Sequence, residues 1–117
     1  MELKKHVTQE DMTLYSGPGN IHSDIEVARA TGLDATVAQG MMTLAYASEL
    51  LTRAHGRAWL ERGEISVKFI GLVYAGDTIT VRGRETEPGA WEVGAENQRG
   101  GLVMIGEARL REAPGPV

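Results

Sequence analysis

The chain has 117 residues, of which 42% are hydrophobic and 24% charged, so we expect one globular domain that is neither disordered nor membrane-spanning. It has no cysteine, which excludes disulfide bonds, a thiolate nucleophile and cysteine-ligated metal sites. Its formal charge is −4 and it has no basic cluster, so nucleic acid is not an expected partner. No signal-peptide pattern is visible, and the longest uncharged run, 35–48, is shorter than the roughly 20 residues of a membrane span. We therefore expect a cytoplasmic protein without a membrane partner.

The first third of the chain predicts short elements. A strand is expected at about 3–7, and the capping residue Thr8 begins a helix that runs to about Tyr15. The turn-forming residues 16–20 predict a loop. A second helix is expected over 24–30, because acidic residues lie in its first turn and a glycine follows its end.

The longest predicted helix runs from about Ala38 to Ala54 and contains no proline and no charge before Glu49. A helix that is apolar on nearly all sides is surrounded by other parts of a protein. Gly56 is a suitable residue to end it. We expect this central helix to be the buried one.

The period of the hydrophobic residues changes to two between about Glu64 and Glu112. Four strands are predicted there, at about 65–69, 78–82, 91–93 and 102–109. The breaks between them contain glycine and are short enough for hairpin turns, which predicts an antiparallel meander. Residues 113–117 are expected to form a frayed C-terminal tail.

One long apolar helix followed by an antiparallel meander predicts an α+β domain over residues 1–112, in which the sheet is wrapped around the central helix. This arrangement is the hot-dog fold. A single sheet has exposed edges, and pairing two sheets edge to edge removes one of them. We therefore expect a homodimer or an oligomer built from dimers.

Three segments carry a resemblance to a known family. The sequence YSGPGNIHSD at 15–24 combines an aromatic residue, a glycine-rich loop, Asn and His with an acid that opens a helix. VAQGM at 37–41 leads into the central helix, and 67–81 contains a strand, a Gly-Asp turn and a second strand. Over about 12–111 the chain thus resembles the MaoC-like family of (R)-specific enoyl-thioester hydratases and dehydratases, which have the hot-dog fold.

The resemblance implies an acid–base pair that is only half present. In the family an Asp and a His move protons as water adds to, or leaves, the double bond next to a thioester carbonyl. The family His corresponds to His22 and the Asn to Asn20, which would orient His22 or the water, whereas Pro18 stands where the family has Asp. Histidine exchanges protons near neutral pH, so His22 is the candidate acid and base.

Three acids could substitute for the missing carboxylate. Asp24 follows His22 by two residues, but it is better explained as an acid in the first turn of a helix. Asp34 lies in the loop before the central helix, and its role is open. Glu49 lies about two turns into that helix, too far from its start to be favoured.

The resemblance also implies that the N–H of Gly40, at the amino end of the central helix, holds the thioester oxygen. Glycine lets a carbonyl approach the backbone closely, and the helix dipole favours negative charge there. Close packing at the helix start is the alternative explanation for this glycine. Around it, the resemblance implies substrate contacts for Ser16, Gly17, Gln39 and Met41.

No other catalytic or cofactor pattern is favoured. The remaining histidines, His6 and His55, are expected to be solvated, and no histidine spacing matches a metal site, so we expect neither metal nor cofactor. A triad of Ser16, His22 and Asp24 is not favoured, because Ser16 does not lie in a nucleophile elbow.

The leading functional hypothesis is a hydratase or dehydratase that acts on an acyl thioester of coenzyme A or of an acyl carrier protein. The alternative, motivated by Pro18, is a non-catalytic or half-site subunit of a heteromeric hot-dog dehydratase. A hot-dog thioesterase is a weaker third hypothesis, because one fold carries several chemistries.

Overall fold

The computed structural model describes residues 1–113, which form a five-stranded sheet and four helices. Residues 114–117 of the predicted tail lie outside the described residues. The elements follow in the order β1 (Glu2–His6), α1 (Gln9–Ser16), α2 (Ile25–Ala30), α3 (Gly40–His55), α4 (Arg57–Arg62), β2 (Gly63–Phe69), β3 (Thr78–Glu87), β4 (Ala90–Glu96) and β5 (Leu102–Leu110).

The two N-terminal helices begin at side chains that satisfy free backbone N–H groups. The Thr8 hydroxyl accepts a hydrogen bond from Asp11 N at 3.1 Å, which starts α1. The Asp24 carboxylate accepts hydrogen bonds from Glu26 N at 2.9 Å and Val27 N at 3.4 Å, which starts α2. α1 therefore begins at its predicted capping residue, whereas Asp24, expected in the first turn of the second helix, is instead the N-cap residue of α2.

The strand order is β1-β3-β4-β5-β2, with every neighbouring pair antiparallel. The predicted meander is right for β3, β4 and β5 but wrong for β2, which pairs with β5 rather than with β3. The break at 75–77 is not a hairpin turn, because residues 70–77 cross from the edge strand β2 to β3, which lies next to the opposite edge strand β1. On the way, Ile70 N donates to Val103 O at 2.9 Å, and Tyr74 forms a bridge with Val37 ahead of α3.

The core lies between α3 and one face of the sheet. The buried residues of α3 lie one, three or four positions apart, so they share one side of the helix; they are Met42, Thr43, Ala47, Leu50 and Leu51. All of them except Thr43 belong to the same apolar cluster as inward-facing strand residues such as Ile79, Val81 and Met104. The predicted α+β fold, with an antiparallel sheet wrapped on a central helix, is confirmed. Within one chain, however, the sheet covers α3 on one side only, and Met41 is half-exposed.

The C-terminal end of α3 differs from the sequence-based expectation. Gly56 ends α3 with a φ of +62° and is followed at once by the short helix α4, which was not predicted. His55 is not solvated as expected: its side chain is only 16% exposed, and Nε2 accepts a hydrogen bond from Trp91 Nε1 at 2.8 Å. His6 is exposed. In the described part of the chain, no helix is both long and apolar enough to cross a bilayer.

Leu50 and Leu60 provide a matched test of where the core lies. Leu50 on α3 is 1% exposed, whereas Leu60 on α4 is 71% exposed. Leu50→Ala is expected to lower the free energy of unfolding by about 2–5 kcal/mol, because it leaves a cavity in the core. Leu60→Ala is expected to change it by no more than about 0.5 kcal/mol. Urea unfolding measures both, and equal losses would contradict this packing.

Candidate active site

Two backbone segments meet at the amino end of α3. We call residues 17–24 the site loop and residues 36–38 the lead-in segment. Val37 N donates to Ile21 O of the site loop at 3.1 Å. The lead-in segment is itself held by residues 70–77, which we call the crossing, since Ala38 N donates to Val73 O at 2.7 Å. The site loop is thus fixed immediately ahead of α3.

The ring of His22 is fixed by a second bond to the lead-in segment. Nδ1 lies 2.6 Å from the carbonyl oxygen of Val37, and a carbonyl oxygen can only accept. We therefore assign the ring proton to Nδ1, which leaves the lone pair of the neutral imidazole on Nε2. Within residues 1–113, Nε2 makes no hydrogen bond, and the side chain is half-buried. His22 thus presents a single free basic nitrogen.

The amino end of α3 follows closely after Val37, the residue that binds the ring of His22. Val37 precedes Gly40, the first residue of α3, by three positions, which span at most about 11 Å. Gln39, the N-cap residue, makes no side-chain capping bond, and the N–H of Gly40 donates no hydrogen bond within the described residues. A free N–H at the positive end of a helix dipole is suited to a developing negative charge.

A side chain at Gly40 would crowd the ring of Phe69. A Cβ atom built on it would lie 3.0 Å from ring atoms of Phe69, at the end of β2. Its lack of a side chain therefore serves packing within the chain, whether or not a substrate also uses the N–H. Met41 follows it on the exposed side.

Asn20 fixes the site loop through both the N–H donors and the oxygen of its side-chain amide. Nδ2 donates to Ser16 O at 2.9 Å and to Gly17 O at 3.2 Å, and Oδ1 accepts from His22 N at 2.9 Å. It therefore fixes the backbone of His22, and both of its N–H donors are used on the backbone of Ser16 and Gly17.

The neighbours of Asn20 shape the start of this loop. Ser16 ends α1, and its hydroxyl is buried without a hydrogen-bond partner in the described residues. Gly17 has a φ of +76°, a conformation that favours glycine, and it turns the chain out of α1. Pro18 follows as an exposed residue. The loop thus has no carboxylate at the position where the family resemblance expects one.

The three acids considered as substitutes have different surroundings. Asp24 uses its carboxylate to cap α2. Glu49 is paired with Lys5 at 2.7 Å and with Arg53 at 3.9 Å. Asp34 is exposed in the loop between α2 and the lead-in segment. The structure therefore gives Asp24 and Glu49 structural partners.

A residue that sequence reasoning did not single out also contacts His22. The Gln9 side chain donates from Nε2 to His22 O at 2.9 Å and accepts from Thr36 Oγ1 at 2.5 Å. These partners lie 13 and 27 residues away, so no local sequence pattern could have indicated them.

Two hollows on the described surface lie away from these residues. The first, of about 630 Å³, is on the outer face of the sheet, and a groove of about 420 Å³ lies between α1 and α3. Neither is lined by His22 or Gly40. In the groove, burial and then the carboxylates of Asp11 and Glu49 raise the pKa of Tyr46, so its phenol stays protonated at neutral pH. No group of three potential metal ligands lies together among residues 1–113.

Several solved structures are similar to this chain in fold. A MaoC-like dehydratase from Phytophthora capsici has a TM-score of 0.84 at 20% identity, over 97% of this chain and 42% of that one. An (R)-hydratase from A. caviae, involved in PHA biosynthesis, has a TM-score of 0.75 at 20% identity, over 95% and 93% of the two chains. The ChsH1–ChsH2 complex from Mycobacterium tuberculosis has a TM-score of 0.71 at 19% identity, over 95% of this chain and 94% of that one.

A match of the sequence to a family model identifies the family, which similarity of fold alone does not. The chain spans less than half the length of the Phytophthora protein, and no curated protein matches it. The family model of the MaoC like domain matches residues 1–106 of the 117. The chain therefore belongs to the MaoC-like domain family.

Proposed function

We propose that this chain is a hydratase or dehydratase that adds or removes water at the α,β double bond of an acyl thioester of coenzyme A or of an acyl carrier protein. The observation that carries the proposal is the state of His22, whose Nδ1–H is held by Val37 O while Nε2 stays free. The uncapped N–H of Gly40 at the start of α3 supports it. Membership of the MaoC-like family is consistent with this reaction class.

The proposed reaction needs one group that both takes and returns a proton. In hydration, water attacks the β-carbon while Nε2 of His22 removes one of its protons. The electron pair of the double bond moves towards the carbonyl, and the enolate oxygen accepts a hydrogen bond from Gly40 N–H. The imidazolium then gives its proton to the α-carbon, which leaves a 3-hydroxyacyl thioester and neutral His22. Dehydration is the reverse, and neither direction strictly requires the carboxylate that Pro18 replaces.

The remaining candidate residues contribute position rather than chemistry in this proposal. Gln39 and Met41 flank Gly40 at the start of α3, where a bound thioester would contact them. Gly17 shapes the site loop through its backbone. The buried hydroxyl of Ser16 reaches a substrate only if the end of α1 moves.

His22→Ala tests the proposed base directly. It is expected to lower the rate of hydration of crotonyl-CoA or a longer enoyl-CoA by at least about 10²-fold, because it removes the proposed proton acceptor. His6→Ala, at an exposed histidine on β1, is the matched control and is expected to keep the wild-type rate. The loss of double-bond absorbance measures both. An unchanged rate in His22→Ala would rule out this role.

A comparison of Gly40→Pro with Gly40→Ala separates the role of the backbone N–H of Gly40 from its role in packing. Proline is tolerated at the first position of a helix, and Gln39 already has the extended φ of −67° and ψ of 140° that a following proline favours. Both variants add a Cβ against Phe69, but only Gly40→Pro removes the N–H. We expect the hydration rate of Gly40→Pro to be about 10²–10³-fold below that of Gly40→Ala. Equal rates at equal thermal stability would exclude the N–H from the reaction.

We propose a second copy of the chain as the partner along β2. This strand forms one edge of the sheet, and the chain at its end exposes three apolar side chains, Phe69, Ile70 and Leu72. An exposed apolar edge is a site for strand pairing. Edge-to-edge pairing would cover these residues and make a homodimer, in which a second chain lies near Gly40.

A half-site role is the alternative function, and Pro18, which stands where the family has Asp, favours it. In that case the purified chain alone would not hydrate enoyl-CoA, and activity would appear on mixing with a hot-dog chain that carries the complete Asp and His pair. Light scattering of each chain and of the mixture would detect the heteromer. Robust turnover by the isolated homodimer would contradict this alternative, and release of free thiol would instead indicate a thioesterase.

A further inference from the structure

We infer that Gln9 is a positioning residue that fixes the orientation of His22 from outside the site loop. The side-chain amide of Gln9 bridges two backbone segments, because it donates to His22 O at 2.9 Å and accepts from Thr36 Oγ1 at 2.5 Å. The geometric part of this inference stands on these bonds alone. Its consequence for catalysis rests on the function proposed above.

The orientation of the Gln9 amide follows from its partners. His22 O can only accept, so Nε2 must face it, and Oε1 must face the hydroxyl of Thr36. The second proton of Nε2 is donated to Thr13 Oγ1 at 3.2 Å. If oxygen and nitrogen were exchanged, two acceptors would face each other at His22. Thr36 is only 4% exposed, so water does not easily replace the amide there.

These bonds close a ring that passes through His22. Gln9 binds Thr36, the peptide bond leads from Thr36 to Val37, Val37 O accepts from the His22 ring, and His22 O accepts from Gln9. The ring therefore holds the imidazole and the backbone of the same residue at once. Asn20 fixes the N–H of His22 from within the loop, so among the polar groups of His22 only Nε2 is left without a partner in residues 1–113.

Breaking the ring at Gln9 would release the carbonyl of His22 and the hydroxyl of Thr36, so the bond between the imidazole and Val37 O would lose the support of the backbone on either side of it. The imidazole could then rotate about its side-chain bonds, or it could adopt the other tautomer, in which Nδ1 has no proton to donate to Val37 O. A displacement of about 1 Å at a reacting group can cost about 10²-fold in rate. Gln9 does not itself contact the reacting atoms, so its loss should change kcat and leave KM nearly unchanged.

Gln9→Leu and Gln9→Glu test this inference in the full chain. Leucine removes both bonds at similar size, and glutamate keeps an acceptor for Thr36 but presents a carboxylate to His22 O. We expect both variants to lower kcat by about 10-fold to 100-fold. Nitrogen-15 NMR of the imidazole is expected to change from a single Nδ1–H tautomer to a mixture. Glu10→Gln, on the exposed neighbour in α1, is the control and is expected to change neither measurement.

A second variant guards against a simple loss of folding. Thr36→Val removes only the hydroxyl that holds Oε1 of Gln9, and it is expected to shift the tautomer in the same direction by less. The double variant with Gln9→Leu should be no worse than Gln9→Leu alone, because both break the same ring. Thermal unfolding identifies any unfolded variant. An unchanged His22 tautomer in a folded Gln9→Leu protein would overturn the inference, even if the wild-type chain has no hydratase activity.

Discussion

The position of the site depends on the lead-in segment, because residues 36–38 are hydrogen-bonded to other parts of the chain on two sides. On one side Ala38 N donates to Val73 O in the crossing that leads to β3. On the other side Val37 binds the site loop through both its N–H and its carbonyl. Since α3 begins three residues after Val37, one segment places both the histidine and the helix end. The crossing that breaks the predicted meander is thus also what builds the site.

A histidine without a partner carboxylate needs another acceptor to select its tautomer. Here a backbone carbonyl does so, and it differs from a carboxylate in carrying no full charge. Hydrogen bonds to a charged acceptor are roughly twice as strong, so a carbonyl stabilises an imidazolium less. Under the proposed function, the same histidine would therefore remove and return the proton without a charged partner beside it.

The sequence predicted those features that depend on neighbouring residues. The cap at Thr8, the length of α3 and the alternation within the strands are local patterns, and the structure has each of them. The predicted partner of β2 was wrong because strand pairing joins residues that are distant in the sequence, such as Gly63 and Leu110. The prediction that His55 is solvated was wrong for the same reason, since its partner Trp91 lies 36 residues away. In the site, the choice of His22 and Gly40 came from a family resemblance, whereas the bonds that hold them depend on the folded chain.

Phe69 connects the site with the edge of the sheet. Its ring fills the space beside Gly40, and it is the last residue of β2, the strand whose outer edge has no neighbouring strand among residues 1–113. A chain that pairs along this edge would lie against Phe69 and hence next to the amino end of α3. It would also approach His22, which is tied to the same end through Val37. A partner at this edge therefore affects the surroundings of the proposed oxyanion donor, whether it is a second copy or a different hot-dog chain.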